Sequence, residues 1–389
     1  MLELLFLLLP IAAAYGWYMG NRSASNQKQE KSDHLSRQYV TGLNMLLSDE
    51  SDKAVDLFIE LLQVDSETID THLALGNLFR SRGEVDRAIR IHQNLIARPN
   101  LSIEQRNLAL QQLAKDYMAA GFFDRAERIF EQLLDEPDYR KPALQQLLAI
   151  YQQTREWEKA IEMASQLVKL GKTKLKHDIA HYWCELSMLE LSAQNQDKAI
   201  QLLKKALSID KNCVRASIAI AKIQIKQQEY KPAAKILERI SDQDIEFVGE
   251  ALPLLLECYE AMHNQNAWLK YLQYCVEHKA GASAELMLAD EIAKQDGAVV
   301  AQSFMTRQLQ KNPTMKGFYQ LMEYHLDEAE DGRAKESLTS LRHLVGEQLK
   351  VKPRYRCRQC GFATHALYWQ CPSCKSWGQI KPIRGLDGE

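Results

Sequence analysis

Small residues recur at a spacing of 34 positions, and this period constrains the fold of the chain more than any other feature. Gly42 and Gly76 are 34 residues apart, and an alanine follows each of them 12 residues later, as Ala54 and Ala88. The intervening residues have the hydrophobic period of helices. Two antiparallel helices pack closely only where small side chains lie at their crossing. The sequence therefore predicts a series of helical hairpins.

The spacing continues with drift along the chain and is typical of tetratricopeptide repeats. The motif GFFDRA at 121–126 echoes GEVDRA at 83–88, whereas the last units, near Tyr259, Ala289 and Tyr324, are weaker. We expect about nine hairpins over residues 35–349, forming an all-α superhelical solenoid. Because the concave groove of such an array holds peptides or helices, a protein-binding function is favoured over an enzymatic one.

Two cysteine pairs near the C-terminus predict a metal site. Cys357 and Cys360 form one CxxC turn, and Cys371 and Cys374 form another after a gap of ten residues. Each turn can direct two thiolates at one ion, and Gly361 suits the positive φ that such a turn needs. A short hairpin would close a tetrahedral four-thiolate site, although disulfides or free thiols are the alternatives.

The cysteine-rich tail, residues 350–389, predicts a small rubredoxin-like or zinc-ribbon β domain. Iron and zinc both suit four thiolates, so the spacing leaves the metal open. The gap between the knuckles is shorter than in electron-carrying rubredoxins, which favours a structural ion. The tail also contains eight basic residues, which are Lys350, Lys352, Arg354, Arg356, Arg358, Lys375, Lys381 and Arg384. They are expected to offset the negative charge of the four thiolates around the ion. The alternative is that they bind nucleic acid.

The other four cysteines, Cys184, Cys213, Cys258 and Cys275, have no common spacing and are expected to be small buried residues. Unpaired thiols beside a metal quartet indicate a reducing compartment, because oxidising compartments favour disulfides. The cytosol is therefore the expected location of the body of the chain.

The N-terminus predicts a membrane anchor. Residues 1–20 are apolar except for Glu3, and the basic residues that follow, from Arg22 onward, lie in a polar linker at 21–34. A cleaved signal peptide would carry positive charge before the apolar run instead. By the positive-inside rule the short N-terminus crosses the membrane and the bulk of the chain stays in the cytoplasm.

No catalytic motif stands out in the sequence: it contains no P-loop, HExxH or GxSxG. His177 and His181 are i,i+4 neighbours that could chelate a metal, but two ordinary surface histidines are the expected interpretation. The formal net charge of −2 provides no global attraction to nucleic acid or to anionic membranes. We therefore expect a protein that is not an enzyme and that does not bind nucleic acid.

Three segments closely resemble the lipopolysaccharide assembly protein B family: the opening MLELLFLLLPIAAAYGWYMG, residues 76–92 (GNLFRSRGEVDRAIRIH) and the ending from KPRYRC at 352 onward. The resemblance implies an inner-membrane repeat protein of Gram-negative bacteria whose cytoplasmic rubredoxin-like domain binds iron through Cys357, Cys360, Cys371 and Cys374. It also implies regulation of lipopolysaccharide synthesis. Such proteins promote degradation of the deacetylase LpxC by the membrane protease FtsH, and a lipopolysaccharide-sensing inner-membrane protein opposes them.

These observations lead to the hypothesis of a membrane-anchored adaptor that is not an enzyme. We expect its groove to bind a client, its anchor to engage membrane partners, and its metal domain to dock on the last helices. A homodimer is compatible with this interpretation. Two alternatives remain: an electron carrier that uses iron, and a scaffold that assembles enzymes of lipopolysaccharide synthesis without affecting proteolysis.

Overall fold

The computed structural model describes residues 15, 17–19, 41–42, 45, 69–99 and 101–389. The predicted anchor, the linker and the first repeat unit therefore lie outside the described residues, apart from these few positions. Among the residues described, no helix is long and apolar enough to cross a membrane. The chain divides into two compact units, Met1–Ala143 and Leu144–Glu389.

The described residues of the first unit include two helical hairpins. They are formed by α1 (Ile69–Ser81) with α2 (Val85–Ile96), and by α3 (Ile103–Ala119) with α4 (Phe123–Gln132). The small residues of the repeat are needed here, since Ala88 is fully buried and a methyl group on Gly76 would collide with the His92 ring. The carboxylate of Asp116 accepts hydrogen bonds from Arg80 and His92 within this packing.

Helices continue through the second unit. The boundary between the units lies within α5 (Pro137–Thr154), and the helices that follow are α6 (Trp157–Lys169), α7 (Leu175–Ser192), α8 (Gln196–Ile209), α9 (Val214–Lys226), α10 (Tyr230–Glu238), α11 (Ile240–Gln243), α12 (Val248–Ala261), α13 (Gln265–Glu277), α14 (Ala282–Asp296), α15 (Ala298–Lys311), α16 (Met315–Glu328) and α17 (Arg333–Val351). Ala160, Ala199 and Ala233 are fully buried, as a repeat of closely packed helices requires. The prediction of tetratricopeptide-like hairpins is confirmed.

A single turn geometry joins the two helices of most hairpins. In each such turn a backbone N–H donates to the carbonyl five residues earlier, for example Glu84 to Phe79 and Asn195 to Glu190. The residue before the donor has a positive φ, 82° at Gly83 but 63° at Gln194. This helix-ending motif tolerates residues other than glycine at a modest cost. The repeat therefore drifts in sequence while its backbone is preserved.

The C-terminal ribbon, residues 352–389, is a small antiparallel sheet with the strand order β2-β1-β3. Its strands are β1 (Tyr355–Cys357), β2 (Ala363–Thr364) and β3 (Ile380–Pro382), with Tyr355 opposite Thr364 and Cys357 opposite Ile380. The buried centre consists of Tyr355, Cys357, Cys371 and Ile380. A core of this size does not stabilise a domain by itself, so the ribbon needs a further stabilising interaction such as a bound metal ion.

The prediction that the ribbon would dock on the last helices is correct only in part, because the ribbon contacts Met315 and Lys316 on α16 but also much earlier helices. It folds back along the second unit and contacts residues from Trp157 on α6 to Lys316 on α16. The last helix, α17, has no buried residue at all. The physical reason is that the aromatic partners His181 and Tyr182 lie on α7, and the acidic partners Asp244 and Glu246 lie in the connection before α12.

Candidate metal centre and its docking surface

Two turns of the same geometry present the four cysteines. In the first turn Gly361 donates its N–H to the carbonyl of Cys357 at 3.0 Å, and in the second Lys375 donates to Cys371 at 2.9 Å. Both donors have a positive φ, 78° at Gly361 and 59° at Lys375. The positive φ predicted for Gly361 is thus observed. Lys375, at the matching position of the second turn, also has a positive φ.

The sulfur atoms are arranged as a tetrahedral metal site requires. All four lie within 4.8 Å of one another, with Cys357 Sγ 3.8 Å from Cys374 Sγ and Cys360 Sγ 3.6 Å from Cys371 Sγ. A tetrahedron with metal–sulfur bonds of about 2.3 Å has edges of about 3.8 Å. In the part of the chain that the structure describes, this is the one group of three or more ligating side chains that could hold an ion. The donor set fits zinc or iron and does not choose between them.

The surroundings of Cys374 and Cys371 change the pKa values of their thiols in opposite directions. Hydrogen bonds from the hydroxyl and the backbone N–H of Ser376 lower the pKa of Cys374 to about 6. Burial raises the pKa of Cys371 to about 11 in the absence of an ion. A bound divalent ion deprotonates such thiols outright. Binding is therefore expected to release protons, chiefly from the buried Cys371.

An aromatic cluster holds the ribbon to the helices. The Trp377 ring stacks on His181 with centroids 5.3 Å apart, and it meets Trp157 and Tyr182 edge-on at 5.9 and 5.8 Å. Beside it, Trp369 stacks on Phe247 at 5.5 Å. Offset and edge-to-face pairs of this kind add to the free energy gained from burial.

The expectation that His177 and His181 are ordinary surface residues is wrong. His181 is 2 % exposed because Trp377 covers it, and burial lowers its pKa well below the usual value. His177 is half-buried, and its hydrogen bond with Asp210 raises its pKa. The i,i+4 spacing faces both rings toward the ribbon, where Gly378 lies against them. Their role in the structure is to form the docking surface.

Charge complementarity adds to this interface. Lys381 Nζ lies 2.8 Å from Asp244 Oδ2 and 3.1 Å from Glu246 Oε2, and Arg358 donates to Glu246 Oε1 at 2.8 Å. Arg384 donates to the carbonyl oxygens of Ala280 and Ile245 at 3.0 and 3.2 Å. Three of the basic residues that suggested a nucleic-acid surface therefore contact the connections that precede α12 and α14 of the same chain.

The last residue of the chain occupies a socket that the sequence did not reveal. Glu389 accepts hydrogen bonds from the Ser283 backbone N–H at 2.9 Å and from its hydroxyl at 2.7 Å, at the N-terminus of α14. Lys316 also donates to this carboxylate. Although burial opposes ionisation, these partners hold the pKa of Glu389 below its usual value. A carboxylate at a helix N-terminus is stabilised by the helix dipole.

The remaining cysteines behave as predicted. Cys184, Cys213, Cys258 and Cys275 are all buried, and none is in a disulfide. They lie in the helical core rather than near the quartet.

Comparison with known proteins agrees with this architecture. Residues 355–382 match the rubredoxin metal binding domain, and residues 71–104 and 190–244 match tetratricopeptide repeat families. A solved MamA protein aligns with 47 % of this chain and 95 % of its own at 22 % identity, but its TM-score of 0.31 supports no conclusion.

Curated relatives match this chain along essentially their whole length, and they include the following two. Lipopolysaccharide assembly protein B of Escherichia coli (strain K12) is 57 % identical over 388 residues, which is 100 % of both chains. The protein of the same name from Haemophilus influenzae is 47 % identical over 392 residues and covers 98 % of both. An identity this high over the full length shows common membership, and the chain belongs to the lipopolysaccharide assembly protein B family.

Proposed function

We propose that this chain is an inner-membrane adaptor without enzymatic activity that promotes degradation of LpxC by FtsH and so limits lipopolysaccharide synthesis. The relatives are named for lipopolysaccharide assembly, and tetratricopeptide hairpins are surfaces for holding other proteins. The observation that carries the proposal is the fixed position of the metal ribbon on the second unit. An adaptor needs a preformed binding surface. Aromatic contacts, ion pairs and the contacts of Glu389 hold the ribbon on the second unit and so fix the surface that they form together.

Membrane tethering would supply the rest of the mechanism. An anchor at residues 1–20 would hold a client beside the protease and raise its local concentration without any new contact. The matching test replaces residues 1–20 with an unrelated transmembrane helix, or deletes them. If tethering is the mechanism, the replaced chain restores LpxC turnover to depleted cells and the deleted chain does not. Full activity of the deleted chain would refute it.

The ion in the ribbon is proposed to be a structural staple held by Cys357, Cys360, Cys371 and Cys374. Its chemistry is to neutralise the thiolates and crosslink two turns that have little core of their own. An electron carrier needs a redox-active ion, whereas a staple does not. Protein loaded only with zinc should therefore support LpxC turnover as fully as protein loaded with iron. Loss of activity on zinc loading would support electron transfer instead.

A scaffold for the enzymes of lipopolysaccharide synthesis is the second candidate, because its binding surface would look the same. The half-life of LpxC after depletion of this chain separates the two functions. The adaptor predicts a longer half-life, restored by the wild-type gene. An unchanged half-life with altered recovery of synthesis enzymes in pull-downs of the intact membrane protein would favour the scaffold.

A further inference from the structure

Cys184 and Cys213 form a pair of buried thiols outside the metal centre. Cys184 lies within α7, and Cys213 is the N-cap residue of α9. Their sulfur atoms are 3.9 Å apart, and each residue is 1 % exposed. Packing of the hairpins requires small apolar residues here but does not require two sulfurs in contact. Cys258 and Cys275 are equally buried, and neither has a sulfur–sulfur contact among the described residues.

The two thiols of the pair are chemically different. The two sulfurs share a hydrogen bond in which either can be the donor, and this bond lowers the pKa of Cys213 although burial opposes the change. The same hydrogen bond, together with burial, raises the pKa of Cys184 well above its usual value. A thiolate at a helix N-terminus is the usual form of a reactive cysteine. The lowered pKa and the N-cap position favour Cys213 as the nucleophile and Cys184 as the resolving thiol.

We propose that Cys184 and Cys213 are an oxidative modification site at which a peroxide forms an intramolecular disulfide. The Cys213 thiolate attacks one oxygen of hydrogen peroxide, the O–O bond breaks, and hydroxide leaves, which gives a sulfenic acid. The Cys184 sulfur then displaces the hydroxyl group as water and forms the S–S bond. Overall, two thiols are oxidised by two electrons, and one peroxide is reduced to two waters.

The location of the pair gives the modification a consequence. The sulfurs must approach from 3.9 Å to about 2.05 Å, which draws the first turn of α9 toward α7. On the same two helices Arg215 donates to Glu185 at 2.8 Å, and its guanidinium lies over the Trp377 ring at 5.9 Å. The disulfide therefore forms directly beneath the docking surface of the ribbon and is expected to loosen it.

The test uses the full-length, metal-loaded protein and hydrogen peroxide. After brief exposure, free thiols are alkylated in denaturant, and peptides digested without reduction are examined by mass spectrometry. We expect the linked Cys184–Cys213 peptide to appear at least about tenfold sooner than any oxidation of Cys258 or Cys275, which are matched for burial. Hydrogen exchange at residues 376–379 should become faster in the oxidised protein but not in peroxide-treated Cys184→Ser.

Single variants assign the roles within the pair. In Cys184→Ser the sulfenic acid of Cys213 should persist and react with dimedone, whereas in Cys213→Ser the thiol of Cys184 should stay reduced. Metal release is followed in parallel with a chromogenic chelator. The proposal is overturned if Cys184 and Cys213 are alkylated as completely as Cys258 and Cys275, or if the linked peptide appears only after the metal has left.

Discussion

Backbone conformation at single residues shapes the metal centre. The residue after the second cysteine of each turn has a positive φ. This residue is a glycine, Gly361, in the first turn and a lysine, Lys375, in the second. An L residue in the left-handed region costs about 1–2 kcal/mol relative to glycine. Comparison of the two turns therefore allows the free-energy cost of placing a side chain at a positive φ to be measured.

Gly361→Ala should weaken metal binding. A methyl group at Gly361 would have nothing within 4 Å, so the φ of 78° is the whole cost. We expect a loss of about 1 kcal/mol, or about fivefold in metal affinity, measured by competition with a chelator. Lys375→Gly is the control and should leave affinity unchanged or increase it. Weakening by both variants would show that backbone strain is not the cause.

His181 should make the docked ribbon sensitive to acid. Its pKa in the folded protein lies well below the usual value of 6.5. Below pH 6.5 the imidazole of His181 is protonated in the unfolded chain but stays neutral in the folded chain. The free energy of unfolding is therefore highest above pH 6.5 and falls as the pH decreases, by up to about 1.4 kcal/mol per pH unit. His177, whose pKa is raised by Asp210, acts in the opposite direction, because its contribution is lost as the pH rises above 6.5.

His181→Phe should reduce this acid sensitivity. Neither ring nitrogen of His181 has a hydrogen-bond partner among the described residues, so phenylalanine keeps the stacking on Trp377 and loses no hydrogen bond. Denaturant unfolding at several pH values provides the measurement, with His278→Gln as the control for removing an exposed histidine. An equally steep acid dependence in His181→Phe would show that another group is responsible.

At the scale of elements, the ribbon packs closely against α7 because Gly378 has no side chain at the point of contact. Gly378 has a φ of 62°, and a methyl group there would collide with the Nε2 atom of His177. A close approach of backbone to a histidine pair thus depends on this glycine. It is the position at which docking can be disturbed while the cysteines remain in place.

Gly378→Ala should undock the ribbon without removing its metal. Both the collision and the positive φ oppose the docked state, so hydrogen exchange should become faster at 369–378 and at 177–182 while metal content stays at one ion per chain. Gly385→Ala is the control, since it has a φ of 93° but nothing within 4 Å of the added methyl group. If the two variants behave alike, strain rather than the histidine contact governs docking.

At the scale of the whole molecule, metal and helices make separable contributions to folding. The ribbon consists of three short strands around four buried side chains, while the hairpins have their own aliphatic and aromatic cores. Structural metal binding supplies about 10–16 kcal/mol in small zinc domains. Without the ion, the ribbon lacks the core to replace this free energy.

Cys371→Ser should therefore unfold the ribbon and leave the hairpins helical. The far-ultraviolet circular dichroism of helices should be nearly unchanged, the metal should be absent, and residues 352–389 should be cut readily by proteases. Cys275→Ser, also buried, is the control and should keep the metal. A metal-free Cys371→Ser protein with normal control of lipopolysaccharide synthesis would show that the ribbon is dispensable for the proposed function.

The sequence alone determined the helical hairpins, the identity of the four metal ligands and the turn at Gly361. Each depends on residues close together in the chain, where periodicity and spacing directly express the backbone geometry. Only the tertiary structure showed that the ribbon folds back onto α7, that His181 is buried beneath Trp377 and that Glu389 fills a socket at α14. These contacts join residues far apart in the chain. Their complementarity of shape and charge exists only once both surfaces have formed, so it leaves no periodic pattern in one sequence.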